Sequence, residues 1–215
     1  MPRTVLLAGA TGLIGSQILQ GLVWDEDVGE VRVLVRRPLD RALVGPKVRE
    51  LVADFDALDA HPEWFRVDQV FCALGTTIRQ AGSEEAFRRV DRDYPRTLAR
   101  LAHAQGARQF LLVSSAGANS RSRVFYNRVK GEAEEAVRRV GYKALTIARP
   151  SFLLGPRKEL RVGEIVMKRL AYLLPASMKP VHSRKVASAL VRAAREDDRG
   201  VVILDNVTLR RECPG

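Results

Sequence analysis

The sequence predicts an α/β fold: a doubly wound, mainly parallel sheet of about seven strands, in a single domain with a small C-terminal extension. The chain has 215 residues, of which 46% are hydrophobic and 28% charged, as in an ordinary globular domain with a full core. Short apolar runs alternate along the chain with longer amphipathic stretches. This alternation is typical of parallel strands joined by crossover helices.

The strands are predicted from the short apolar runs. Most of these runs are continuous rather than alternating, which indicates strands that are buried on both faces of a parallel sheet. The predicted strands span residues 4–8, 31–35, 50–53, 69–74, 109–113, 144–148 and 201–204.

The helices are predicted from apolar residues that recur every three or four positions between the strands. The first apolar stripe is Ile14, Ile18 and Leu22, and the second is Leu98, Leu101 and Ala102, in a helix that Pro95 opens and Gly106 ends. The third stripe is Tyr126, Val129, Ala133 and Val137, ahead of Gly141. The fourth is Val186, Leu190, Val191 and Ala194, between an N-cap at Ser183 and a final Gly200.

Composition and charge limit the compartment and the partners. The formal net charge is +11, but the basic residues are dispersed among acidic ones, so we expect a small-molecule ligand and no nucleic-acid or membrane partner. Cys72 and Cys213 form neither a disulfide framework nor a metal site. The apolar run at residues 5–8 is too short for a signal sequence or a membrane span. We therefore expect a cytoplasmic protein without a metal.

The strongest functional signal is a glycine-rich turn between the first predicted strand and the first predicted helix. It reads GATGLIG at residues 9–15. Glycines make such a turn tight, let a pyrophosphate approach the backbone and let the helix pack on the strand. The helix start then offers unpaired N–H groups to the phosphates. We therefore expect the dinucleotide-binding residues to be Gly9, Thr11, Gly12, Leu13, Ile14 and Gly15.

Two arginines after the second predicted strand indicate which dinucleotide is bound. Sites that prefer NAD carry an acidic residue here for the ribose 2′-hydroxyl, whereas this chain has Arg36 and Arg37, and its first carboxylate is Asp40. Guanidinium groups suit a 2′-phosphate because they form charge-assisted, bidentate hydrogen bonds and stack on adenine. The sequence therefore predicts NADP(H). The alternative is a pair of ordinary surface arginines in an arginine-rich chain.

A third signal is the pair Tyr126 and Lys130, whose four-residue spacing places both on one helix face. A nearby ammonium favours the phenolate form of a tyrosine, so such a pair can exchange a proton with a carbonyl or alcohol oxygen. Ser114 and Ser115 end the fifth predicted strand, where strand ends face the ligand crevice. Ser115 is the first choice for holding the reacting oxygen, and Ser114 is the second. The alternative is a partly buried tyrosine beside a surface lysine, with both serines capping the strand end.

The order and spacing of these motifs resemble those of short-chain dehydrogenase/reductases of the atypical, NAD(P)H-binding branch, and most closely its Tat-interacting-protein oxidoreductase subgroup. The resemblance covers nearly the whole chain and is weakest from about residue 175 onward. Besides the glycine-rich turn, it rests on CALGTT at 72–77, FRRVDRDY at 87–94, SSAGA at 114–118, YNRVKGEAE at 126–134 and ARPSFLLGPR at 148–157.

The resemblance implies a Rossmann fold with NADPH lying across the carboxyl ends of the strands. It also implies that Ser115, Tyr126 and Lys130 form the catalytic set. Further contacts implied by the same match are Leu74 and Gly75 along the cofactor, Asp54 near the adenine, Pro150 near the nicotinamide, and Arg157 near the cofactor or substrate. The chain departs from the pattern at Asp91, where related reductases often carry an asparagine that serves a proton relay.

These observations favour an NADPH-dependent oxidoreductase that acts on a small carbonyl or alcohol. In this interpretation Tyr126 protonates the oxygen, Ser115 holds it, and Lys130 binds the ribose and tunes Tyr126. The alternative is a redox-sensing protein that binds NADPH without turnover, because the resembling branch includes such regulators. A sugar-nucleotide epimerase or dehydratase is disfavoured, since the segment after Arg157 is short for a substrate domain.

The substrate pocket is expected to be shaped by residues 151–182, within the segment 151–200 that contributes the substrate-side helices. This stretch is apolar with scattered arginines, which favours a hydrophobic or acidic small molecule. His182 is interpreted as a structural or pocket-lining residue, because no second histidine lies near it in the sequence.

Overall fold

A computed structural model describes residues 2–40, 45–155, 175–196 and 199–213. Its strands are β1 (Arg3–Ala8), β2 (Val28–Val35), β3 (Val48–Val52), β4 (Gln69–Cys72), β5 (Gln109–Val113), β6 (Ala144–Ala148), β7 (Leu153–Leu154), β8 (Val181–His182) and β9 (Gly200–Leu204). Its helices are α1 (Leu13–Trp24), α2 (Ile78–Ala81), α3 (Glu84–Arg88), α4 (Tyr94–Ala104), α5 (Phe125–Arg138), α6 (Ser183–Glu196) and α7 (Asn206–Arg211).

Seven strands form one sheet in the order β3-β2-β1-β4-β5-β6-β9, and every neighbouring pair is parallel. This confirms the predicted doubly wound sheet. The bounds of β5 and β6 coincide with the prediction, whereas β2 begins three residues early, at Val28, which pairs with Arg3 of β1. The strand order reverses between β1 and β4, and ligands of open α/β sheets bind beside the carboxyl ends of the strands at such a point.

The core consists of two apolar layers, one on each face of the sheet. Successive residues of β1 alternate between them, since Val5 and Leu7 pack in one cluster and Leu6 and Ala8 in the other. Helices α1 and α6 cover the first face, while α4 and Val137 of α5 cover the second. The central strands β1, β4, β5 and β6 are therefore buried on both faces, which explains why their sequences are largely apolar, whereas the edge strand β9 exposes Val201 and Ile203.

The helix that was predicted to open at Pro95 begins earlier than expected. The backbone is helical from residue 84 to residue 104, with Ser83 as the N-cap and a π-helical turn at Arg89–Asp93. Pro95 has no N–H, and within an α-helix its ring would clash with the carbonyl of Asp91. The wider π-turn, in which the Tyr94 N–H donates to the Arg89 carbonyl five residues back, carries the helix through the proline.

A second, two-stranded parallel sheet joins β7 and β8, which are too short to leave a sequence pattern. Ser183, the predicted N-cap, is the first residue of α6 and is buried. His182 precedes it in β8 with an exposed side chain. Arg157 and the central part of the predicted substrate-side segment lie outside the described residues.

Candidate functional site

The glycine-rich turn after β1 is shaped by close backbone contacts. Gly9 has a φ of +92°, and a Cβ there would lie 2.5 Å from the carbonyl oxygen of Ala73 in the loop after β4. A Cβ on Gly15 would overlap the Gly9 carbonyl, so α1 packs directly on the turn. The Gly12 N–H donates to the Gly9 carbonyl at 3.0 Å. The conformation that the sequence predicted from three glycines is thus required sterically at Gly9 and Gly15.

The start of α1 is the part of this turn that could hold a phosphate. Gly12 is the N-cap and is exposed, and no side chain among the described residues caps this helix end. The first N–H groups of the helix therefore remain available to an anion. Thr11 is exposed and Leu13 half-buried, whereas Ile14 is buried in the core, so Ile14 could contribute through its backbone alone. These residues fit the pyrophosphate of a dinucleotide.

The ends of β2 and β3 bring together the residues that were predicted for the adenosine side of the cofactor. The Ala53 N–H donates to the Val35 carbonyl at 2.8 Å, which sets Asp54 beside the segment that carries Arg36 and Arg37. Both arginines are exposed, and within the described residues neither makes a hydrogen bond or an ion pair. Two unengaged guanidinium groups are therefore available to a phosphate.

The loop after β4 reaches the glycine-rich turn and carries Leu74 and Gly75. Its Ala73 N–H donates to the Ala8 carbonyl at 2.9 Å, and its Thr76 N–H donates to Oδ2 of Asp91 at 2.9 Å. Leu74 is half-buried and Gly75 is exposed. The loop is thus fixed between β1 and the π-turn, at the edge where the cofactor was expected.

Lys130 is buried and pairs with Asp91. Its Nζ lies 2.7 Å from Oδ1 of Asp91, and the two side chains are 7% and 0% exposed. Burial alone would lower the pKa of Lys130, but the Asp91 carboxylate and other nearby groups raise it above its usual value. The lysine is therefore held in its charged form, with the Asp91 carboxylate facing its ammonium group.

Tyr126 lies one helical turn before Lys130 on α5. Its ring packs 5.6 Å from the ring of Phe87, centroid to centroid, and it is half-buried. It is close enough to Lys130 to raise the pKa of the lysine electrostatically. Within the described residues, its hydroxyl makes no hydrogen bond. The structure thus places a phenol beside a buried ammonium, as the four-residue spacing predicted.

The two serines at the end of β5 have different surroundings. Ser114 is buried, and its hydroxyl donates to Oε1 of Glu134 at 2.5 Å. Glu134 also accepts from the Arg149 guanidinium, at 2.9 Å from Nε and 2.5 Å from Nη2. Ser115 is half-buried, and its hydroxyl makes no hydrogen bond within the part of the chain that the structure describes. The Ser114 hydroxyl is therefore already bonded to Glu134 of α5, which in turn binds Arg149 after β6. Ser115 is the serine that remains available to a ligand.

The loop after β5 is packed against α5 and against the end of β6. The Ala116 N–H donates to the carbonyl of Pro150 at 2.9 Å, which sets this predicted nicotinamide contact beside Ser115. A Cβ on Gly131 would overlap the backbone of the loop at Asn119 and Ser120. The contact at Gly131 therefore fixes how the loop that carries Ser115 lies along the helix that carries Tyr126.

Two partners of these residues were not predicted from the sequence. Asp91 stood out as a departure from a family pattern, but its pairing with Lys130 was not predicted, because the two lie on different helices. No role was predicted for Glu134 either, although a four-residue spacing from Lys130 places it on the same helix face and is a usable signal.

Comparison with known proteins identifies the family. The sequence matches the NAD(P)H-binding family over residues 9–197. Protein HTATIP2 of Rattus norvegicus is 37% identical over 177 residues, which are 81% of this chain and 73% of that protein. "Protein fmp52, mitochondrial" of Emericella nidulans is 31% identical over 189 residues, covering 83% and 77% of the two chains. These matches confirm the resemblance that the motifs indicated.

Solved structures confirm the fold. MoeE5 in complex with UDP-glucose and NAD superposes with a TM-score of 0.72 at 19% identity, over 93% of this chain and 74% of that one. UDP-glucose 4-epimerase of Thermotoga maritima gives a TM-score of 0.70 at 17% identity, over 93% and 75% of the chains. At such identities the likeness shows a shared Rossmann-like architecture and nothing about substrate.

Proposed function

Because the chain belongs to the NAD(P)H-binding family, we propose that it is an NADP(H)-dependent oxidoreductase of the short-chain dehydrogenase/reductase type, acting on a small carbonyl or alcohol. The single observation that carries the proposal is the arrangement on α5. There a half-buried phenol, Tyr126, lies one turn from a buried ammonium, Lys130, beside the carboxyl edge of the sheet.

In the proposed reaction the chain holds the substrate oxygen and supplies its proton. The hydroxyl of Ser115 donates a hydrogen bond to the oxygen, and the Tyr126 hydroxyl gives it a proton as the carbonyl is reduced. Lys130 donates to the ribose and supplies positive charge beside Tyr126. Bound NADPH would supply the hydride to the carbonyl carbon.

The choice of NADP(H) over NAD(H) rests on Arg36 and Arg37. Both are exposed at the end of β2, and neither is engaged by a carboxylate within the described residues. A guanidinium pair without a carboxylate partner favours a phosphate over a hydroxyl. MoeE5 and other structural neighbours are described with NAD, so this choice distinguishes the chain from them.

A redox-sensing protein that binds NADPH without turnover is the second candidate, and the Asp91–Lys130 pair favours it. The carboxylate at 2.7 Å from Nζ offsets the positive charge that would otherwise act on Tyr126. A protein that only binds the cofactor does not need that charge to act on Tyr126. Both candidates therefore bind NADPH, and they differ in that the oxidoreductase turns over a substrate whereas the sensor does not.

The proposal extends to partner and compartment. We propose a small-molecule ligand rather than nucleic acid. No helix of the described residues has the length and apolar character that crossing a membrane requires. We propose a cytoplasmic location, because the two cysteines of the sequence form no disulfide framework, although the fungal relatives are named mitochondrial. Fluorescent tagging of the full chain in its own cells distinguishes the two compartments.

The test of the function is a binding measurement followed by a turnover measurement. Calorimetry with NADPH and with NADH establishes the cofactor. Loss of NADPH absorbance is then followed with a panel of aldehydes, ketones and quinones, with Tyr126→Phe as the matched control. Turnover that disappears in the control supports the oxidoreductase. Binding of NADPH without turnover on any panel member overturns the oxidoreductase in favour of the sensor, and failure to bind either nucleotide overturns both.

A further inference from the structure

The buried pair of Asp91 and Lys130 carries an inference that deepens the proposed function. Its carboxylate comes from the π-turn and its ammonium from α5, and the atoms are 2.7 Å apart with both side chains out of solvent. Beside this pair, Arg88 of α3 and Arg92 of the π-turn donate to Glu132 of α5 at 2.7 and 3.2 Å. The position of Asp91 opposite Lys130 is therefore supported by these neighbouring ion pairs.

Asp91 also holds the loop that was predicted to line the cofactor. Its second carboxylate oxygen accepts the Thr76 N–H at 2.9 Å. Gly75 lies against the pair, since a Cβ on it would be 3.6 Å from Oδ1 of Asp91 and 3.8 Å from Nζ of Lys130. One carboxylate thus joins the loop after β4 to the lysine of α5.

Asp91 is the counter-ion of Lys130 among the groups that face the ammonium. These groups are Asp91 from the π-turn, Cys72 from β4 and Tyr126 from α5 itself. Burial raises the pKa of the Cys72 thiol to about 12, so this group is uncharged at neutral pH. Among the described residues that act on the ammonium, Asp91 is the carboxylate. An ammonium that is buried without a carboxylate loses its proton, because desolvation disfavours the charged form.

We propose that Asp91 is a positioning residue whose carboxylate keeps the buried Lys130 side chain charged and directed at the cofactor, and fixes the adjoining loop in the same arrangement. The part that concerns the cofactor rests on the proposed function. In this role Asp91 replaces the asparagine of the resembling reductases with a group that supplies charge. Asp91→Asn would keep the shape and the hydrogen-bonding capacity of the side chain and remove only that charge.

The first test measures the charge on Lys130 without any cofactor. In D91N the lysine would have to lose a proton on folding, because its folded pKa would lie below that of the unfolded chain, near 10.4. The unfolded state then binds more protons, so the stability of D91N rises with pH toward that value. The wild type has a raised Lys130 pKa and lacks this gain below pH 10.

The measurement is urea unfolding of wild type and D91N between pH 6 and pH 9.5. We expect the ratio of their unfolding constants to approach one as pH rises, by up to about tenfold per pH unit for one proton. The double variant D91N/K130M should show no such pH dependence. Glu132→Gln, which removes the carboxylate from the neighbouring ion pairs, is the matched control and should show none either.

The second test is the affinity for NADPH over the same pH range. In D91N the affinity should fall relative to wild type as pH rises, down to the value of D91N/K130M, a total loss of about tenfold or more for one charge-assisted contact. A role in stability alone would lower affinity by a factor that does not change with pH.

The outcomes decide the inference separately from the function. If the ratio of the unfolding constants of D91N and wild type does not change with pH, the inference is overturned, whatever the protein does with NADPH. If D91N is unfolded at pH 7, the inference requires that it regain structure as pH rises or when Lys130 is also replaced, and failure of both overturns it. A wild type that binds neither nucleotide refutes the proposed function, and the ratio of unfolding constants then decides the charge assignment alone.

Discussion

Replacing Arg36 and Arg37 by alanine isolates the predicted choice of cofactor. Both side chains are exposed at the end of β2, and within the described residues neither contacts a carboxylate or caps a helix. The double variant R36A/R37A should therefore unfold at the same urea concentration as wild type, within about 0.5 kcal/mol. Any change in binding then reports on the cofactor rather than on the fold.

The expected magnitude follows from the exposure of the two groups. A hydrogen bond to a charged partner contributes about 1.5–3 kcal/mol, and exposure to solvent and salt reduces this contribution. We take the lower end, so wild type should bind NADPH at least about tenfold more tightly than NADH, a difference of about 1.4 kcal/mol. In R36A/R37A the NADPH affinity should fall to that of NADH, while the NADH affinity stays constant.

Calorimetric titration with both nucleotides, at low salt and at about 0.5 M salt, measures these quantities. The NADPH preference of wild type should shrink with salt, because the contacts are exposed charge pairs. Arg96→Ala removes another exposed arginine that makes no hydrogen bond or ion pair within the described residues, and serves as the matched control. Equal affinities in wild type, or a preference that survives in R36A/R37A, would refute the assignment of the 2′-phosphate to these residues.

Three further variants test the site and its supports. Tyr126→Phe should lower turnover by about 10²–10⁴-fold and leave NADPH affinity nearly constant, and near-native turnover in a steady-state assay would exclude the tyrosine as the acid. Lys130→Met leaves the carboxylate of Asp91 buried without a counter-ion, so urea unfolding should show a loss of about 3–5 kcal/mol together with weaker NADPH binding. Gly131→Ala forces a Cβ into the loop after β5 and should cost about 1–3 kcal/mol, whereas Gly45→Ala, where a Cβ meets no described residue within 4 Å, should be nearly neutral.

The centre of the sheet could be predicted from the sequence because its strands are buried on both faces. The runs at β5 and β6 are apolar except for the buried Gln109 and Thr146, and their predicted and observed bounds coincide. The start of β2 was missed because the pairing of Val28 with Arg3 extends the ladder beyond the apolar run. Backbone pairing of this kind depends on a neighbouring strand, and no residue within the strand signals it.

The glycine-rich turn was predictable for a different reason. Its requirements fall on consecutive residues, since Gly9 must adopt a positive φ and Gly15 must admit the helix. The partner of Lys130 was not predictable, because Asp91 reaches it through the packing of two helices. The contrast between Ser114 and Ser115 likewise depends on Glu134, which lies on another element. Local conformation depends on residues that are neighbours in the sequence, whereas the counter-ion of a buried charge depends on tertiary contacts.

The π-turn has a consequence for how insertions and deletions act on this chain. An α-helix advances by about 100° per residue, and a π-turn accommodates one residue more than an α-helical turn. Deleting one residue from the stretch between Ser83 and Pro95 would remove the extra residue that the π-turn accommodates, so the side chains of that turn would change direction relative to α4. Asp91 would then no longer be held opposite Lys130, and the Pro95 ring would meet the carbonyl four residues before it. In an alignment, a one-residue gap at this point therefore alters the charge balance of the site as decisively as a substitution of the aspartate.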